Sequence, residues 1–111
     1  VWFCGLPLLV APAPGMAADA FALDIAPGQF DEHCLRIEAG EVIRWRFVAM
    51  SAVDFNIHHH RGKEVFYPVR RNGAERASGR FRTRAGDDYC LMWTNKSPRT
   101  VRVSGSVERL R

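Results

Sequence analysis

Gly40-Glu41-Val42-Ile43-Arg44-Trp45-Arg46-Phe47 is the stretch that decides the fold class. Ile43, Trp45 and Phe47 alternate with Arg44 and Arg46. In an extended chain this puts three large apolar side chains on one face and two guanidinium groups on the other. A helix would scatter the same residues around its axis, so the pattern predicts a strand with one buried face.

The same period-two pattern recurs on both sides. Phe21, Leu23 and Ile25 alternate before a Pro27-Gly28 turn, and Leu35 and Ile37 precede Ala39-Gly40. Val53, Phe55 and Ile57 make a further strand, and Val65 to Val69 another, with Pro68 favouring an edge position. Phe81 and Thr83 lead into the turn Ala85-Gly86-Asp87; Tyr89, Leu91 and Trp93 follow, and Val101, Val103 and Val107 close the series. Residues 70–80, RRNGAERASGR, read as a polar loop. The expectation is an all-β fold: a single antiparallel β-sandwich of about eight strands, with Trp45 and Trp93 in its core.

The chain has 111 residues, 47% hydrophobic and 25% charged, which suits one globular domain and argues against disorder. Its start is different in character. Trp2 to Ala18 carries no charge, and Cys4 to Val10 is the apolar centre of that run. Ala18-Asp19-Ala20 is a small-x-small pattern of the kind a signal peptidase cuts after. Residues 1–20 are therefore expected to be a signal peptide whose beginning precedes Val1, and residues 21–111 the mature domain. Prolines 7, 12 and 14 make the run a poor transmembrane helix.

Removing the leader takes Cys4 away and leaves Cys34 and Cys90. Two thiols in an exported domain of this size are expected to pair. Cleavage also raises the net charge of +4 by one, because Asp19 leaves and no Lys or Arg does. The excess concentrates between residues 61 and 84, where Arg61, Lys63, Arg70, Arg71, Arg76, Arg80, Arg82 and Arg84 meet only Glu64 and Glu75. Arg61, Lys63, Arg70, Arg71 and Arg76 are candidates for binding an acidic protein or an anionic surface. Export argues against intracellular nucleic acid.

Three motifs together resemble the GOLD domain, the lumenal β-sandwich of early-secretory-pathway cargo receptors. They are Pro27-Gly28 with Cys34, the Gly40 to Phe47 strand with Asp54-Phe55-Asn56-Ile57, and Tyr89-Cys90-Leu91-Met92-Trp93-Thr94-Asn95. The resemblance spans roughly residues 21–108. It implies a jelly-roll-type sandwich, a bond between the two cysteines, and a non-enzymatic binding or interaction module. The membrane-proximal helix, the transmembrane segment and the tail of those receptors have no counterpart, so cargo transport does not carry over.

His58-x-His60-x-x-x-Glu64 matches the first metal motif of cupins, and makes His58, His60 and Glu64 the candidates for a periplasmic site holding copper or zinc. Against this, the cupin glycines are absent and no later histidine completes the set. Strand phase also turns His58 and His60 away from Phe55 and Ile57, towards solvent. His59 shares the core-side phase and reads as a hydrogen-bonded histidine. No cofactor is required by any other motif. Ser51, Asp54 and the histidines lack a Gly-x-Ser-x-Gly elbow, and no catalytic set is assigned. Asn95-Lys96-Ser97 has the form of a glycosylation sequon, disfavoured by Pro98.

Overall fold

The computed structural model describes residues 17–110, as six antiparallel strands. These are β1 (Ala17–Ile25), β2 (Phe30–Ile37), β3 (Val42–Arg61), β4 (Glu64–Arg82), β5 (Asp87–Thr94) and β6 (Val101–Leu110). The leader expected over residues 1–20 lies almost wholly outside the described residues. Its expected boundary after Ala20 falls inside β1, where Ala17 to Ala20 pair with Arg109 to Ser106.

The strand number is corrected from about eight to six. Residues 42–61 form one strand of 20 residues, and the expected 70–80 loop is the middle of the 19-residue β4. One sheet takes the place of two separate ones. Its order is β1-β6-β3-β5-β2, with β4 on the other edge of β3. The N-terminal half of β3 pairs with β6 and its C-terminal half with β5. The β3–β4 register slips between Val48 and Val53, leaving Ala49, Met50, Ser51 and Ala52 without β4 partners. Such an irregularity bends and twists a strand without ending it.

That bend lets the β6–β1 arm curl over the β5–β2 arm and enclose the core. Phe21 of β1 meets Trp93 of β5, ring centroids 4.8 Å apart. Phe47 and Phe55, also 4.8 Å apart, fill the space between them and Trp45. Trp45 and Trp93 are fully buried, as the alternation requires. The approach of β6 to β3 is close. Gly105 sits opposite Phe47, and a Cβ there would stand 2.1 Å from the Arg46 carbonyl oxygen.

Cys34 and Cys90 are bonded, directly opposite each other across β2 and β5. Cys34 is exposed, so the bond lies on the outer face of the sheet and not in the core. Asn95 is fully buried: its amide donates to the carbonyls of Ile25 and Arg99, and its oxygen accepts from Ser97. This bonding organises the turn before β6 and leaves the sequon nitrogen inaccessible to a glycan. No helix among the described residues is long and apolar enough to cross a membrane.

Candidate partner-binding surface

β3 and β4 form a hairpin whose last rung is Arg61 opposite Glu64. Gly62, at φ 60°, takes the first position of the two-residue turn, where only glycine is unstrained, and Lys63 takes the second. Just beyond the turn Val65, Phe66 and Tyr67 are all exposed, at 39%, 41% and 42%. Three consecutive exposed large apolar side chains break the alternation of the rest of the sheet. The hairpin runs on past the last β3–β5 pair, His59 with Tyr89, so neither of its faces is covered there. A further register slip, between Ile57 and His59, gives β4 an extra residue beside Pro68. Pro68 has no N–H to give to a neighbouring strand, and β4 is indeed an edge strand.

The side chains at this end are held in place. Arg70 lays its guanidinium over the Tyr67 ring, 4.1 Å from the centroid. Phe66 stacks on His59, which in turn packs on Tyr89 and shares a 3.0 Å hydrogen bond with Asp87. That bond holds the Asp87 carboxyl below its usual range. His59 is thus the hydrogen-bonded histidine its strand phase indicated. Two shallow concavities flank the end. One of about 250 Å³ is walled by Phe66, Arg61 and Arg84, the other, of about 160 Å³, by Tyr67, Arg70 and Met92.

The basic candidates do not all share one face. Arg61 and Lys63 sit at the tip and Arg70 on the outer face. Arg71 lies opposite Phe55 and approaches Trp45, 5.9 Å from its ring. Arg76 is farther along β4, opposite Val48. Two arginines that the sequence reading counted only as the wet side of a strand join this outer face. Arg44 stands directly opposite Arg80, and Arg46 opposite Ser78. Like charges across a rung oppose each other, and here Glu108, 3.9 Å from Arg44, is the nearby carboxylate. The alternation Ile43-Arg44-Trp45-Arg46-Phe47 was the signal that could have assigned them to it.

The metal candidates separate. His58 and His60 lie on the outer face with ring centroids 5.4 Å apart, whereas Glu64 is in the last rung with Arg61. His58 is only 6% exposed, which corrects the expectation that it faces solvent. Its phase is outward as expected, but Tyr67, Glu32 and Cys90 cover it. Its Nδ1 lies 2.7 Å from Asn56 Oδ1 and its Nε2 3.3 Å from Glu32 Oε2. Burial pushes its pKa below the ordinary histidine value, against the pull of Glu32. Glu32, His58 and Cys90 each offer a donor atom within 4.8 Å of the others. Glu32 comes from β2, and no spacing along the chain pointed to it.

No family model and no curated protein matches the chain, so the GOLD resemblance rests on its motifs alone. Solved structures do match in fold. One is PliG of Aeromonas hydrophila, a periplasmic inhibitor of g-type lysozyme, at 16% identity and TM-score 0.62, covering 94% of each chain. Another is the Yersinia pseudotuberculosis-derived mitogen, at 10% identity and TM-score 0.60, covering 86% of each chain. Identities this low establish a shared all-β fold and nothing about residues.

Proposed function

We propose that this chain is an exported, non-enzymatic binding module that docks a folded protein with an acidic face onto the end of its β3–β4 hairpin. The observation that carries the proposal is the set of exposed Val65, Phe66 and Tyr67 at the hairpin end, flanked by Arg61, Lys63 and Arg70. Interface hot spots are rich in aromatic residues and arginine, set among groups that exclude water. Tyr67 under Arg70 is such a pair, already arranged before any partner arrives. The basic groups around it steer an acidic surface and suppress wrong partners more than they add affinity. Arg76, with Arg44, Arg46 and Arg80, extends the same positive field along the outer face.

Two further observations support this reading. The fold is shared with a lysozyme inhibitor, whose own partner is a protein. The exposed disulfide suits an oxidising compartment, where such modules work.

The test is capture of partners from an envelope extract, followed by titration of the purified captured protein. Tyr67→Ala is expected to weaken binding about 30-fold, the loss of roughly 2 kcal/mol that marks a hot spot. Arg70→Glu with Arg71→Glu is expected to slow association and flatten its salt dependence. Affinity and association rate unchanged in both variants would remove the hairpin end from the interface.

A further inference from the structure

Cys34 on β2, Cys90 on β5 and His58 on β3 occupy one rung across three neighbouring strands, all on the outer face. Glu32, two residues along β2 from Cys34, brings its carboxylate to within 3.3 Å of His58 Nε2. The imidazole is oriented as a ligand would be. Asn56 Oδ1, 2.7 Å away, can only accept, so a proton on Nδ1 satisfies it, and in the neutral ring the Nε2 lone pair then faces the carboxylate. Two acceptors at that distance are bridged by a proton or by a metal ion. A hydrogen bond from the far ring nitrogen to a side-chain oxygen is also the arrangement that fixes metal-binding histidines.

We propose that reduction of the Cys34–Cys90 disulfide turns this rung into a metal site, with two thiolates, His58 Nε2 and the Glu32 carboxylate around one zinc-like divalent ion. In the oxidised chain neither sulfur is a thiolate, and only the imidazole and carboxylate remain as strong donors. Reduction by a dithiol adds two electrons and two protons to the S–S bond, giving two thiols, while the dithiol closes to its own disulfide. Uptake of one divalent ion then displaces both thiol protons. The donor set becomes S₂NO, of the kind tetrahedral zinc accepts. Three features make the change feasible. Cys34 is exposed and open to a reductant, no core side chain has to move, and the β2–β5 ladder holds the two sulfurs together after the bond opens. This donor set shares only His58 with the His58-x-His60-x-x-x-Glu64 motif. It does not depend on the hairpin-end reading.

Cobalt(II) is the probe, because thiolate ligation and tetrahedral geometry both give visible absorption. Untagged protein is reduced with a dithiol, freed of it without oxygen, and titrated with cobalt beside the oxidised protein. The reduced chain is expected to take up one cobalt with thiolate charge-transfer bands, and zinc to displace it. The oxidised chain is expected to bind at least about 100-fold more weakly. His58→Ala and the more conservative Glu32→Gln should each lower the affinity about tenfold or more, with strand circular dichroism unchanged. Full affinity in both variants would overturn the proposal, since the dithiol would then be chelating by itself. Equal binding by the oxidised chain would overturn it too, as would a reduced chain that loses its strand signal and does not regain it with cobalt.

Discussion

Replacing Gly105 by alanine should be among the most damaging single-methyl changes in this molecule. The added Cβ would stand 2.1 Å from the Arg46 carbonyl oxygen, 2.8 Å from Phe47 Cα and 2.9 Å from Phe21 Cζ. The first two are backbone atoms of the central strand, so relief requires β6 to move away from β3 by roughly an ångström, opening the rung that seats Phe21 and Phe47. Overpacking of a core ordinarily costs about 1–3 kcal/mol when side chains can yield. Here backbone must yield, and we expect at least about 3 kcal/mol. For a domain of this size that is a fall in Tm on the order of 15 °C. Gly79→Ala is the control. Its Cβ would meet the Trp45 ring at 2.8 Å, but from an edge strand free to shift outward. Alanine also recovers about 0.5–1 kcal/mol of backbone entropy there. A net loss of about 1 kcal/mol is expected. Thermal and urea unfolding of both variants decide the matter: Gly105→Ala as stable as Gly79→Ala would refute the close β3–β6 approach.

Three other changes follow from the same structure. Asn95→Ala removes an amide that bonds three residues in the buried turn before β6, and should lower stability by about 2–3 kcal/mol in urea titration; a loss under about 0.5 kcal/mol would show that the turn is held otherwise. The Asp54 carboxyl, hydrogen-bonded by Lys96 and by the Gly73 N–H, is held below the usual range. Its contribution is complete above the ordinary carboxylate pKa and fades as pH falls through the lower folded value, so wild type should lose stability below about pH 4 more steeply than Asp54→Asn. With Lys96 exposed, the difference should stay under about 1 kcal/mol, and identical acid titrations would rule the contact out. Finally, the cysteines close a loop of 56 residues, and Cys34→Ser with Cys90→Ser should cost about 4 kcal/mol on the chain-entropy account; because the bond is on the outer face, the core fluorescence of Trp45 and Trp93 should not change at low temperature.

What the sequence revealed depends on how a residue advertises its burial. Ile43, Trp45, Phe47, Phe55 and Trp93 are large and alternate cleanly, and each is in the core. The disulfide followed from counting thiols, and the edge position of β4 from Pro68. The middle of β4 was hidden because the residues it turns inward are Ala74, Ala77 and Gly79, small enough to fit against Val53, Phe47 and Trp45. An edge strand with small inward residues and arginines elsewhere carries no hydrophobic period, and looks like a loop. Eight strands became six for a related reason: the irregularity after Val48 interrupts the pattern without breaking β3. The candidate surface was legible only as charge. That Phe66 and Tyr67 would both be exposed depends on the hairpin running past the end of its pairing with β5, and the burial of His58 depends on Tyr67, Glu32 and Cys90, which reach it from two other strands and the far arm of the hairpin.

The most direct test of the binding account is site-specific photo-crosslinking in envelope extract. A benzoylphenylalanine placed at position 67 is compared with one at position 50, where the native Met50 is 78% exposed at the bend of β3. The account predicts one discrete adduct with an acidic protein from position 67, lost at high salt, and none from position 50. Adducts of equal yield from both positions, or from position 50 alone, would contradict it.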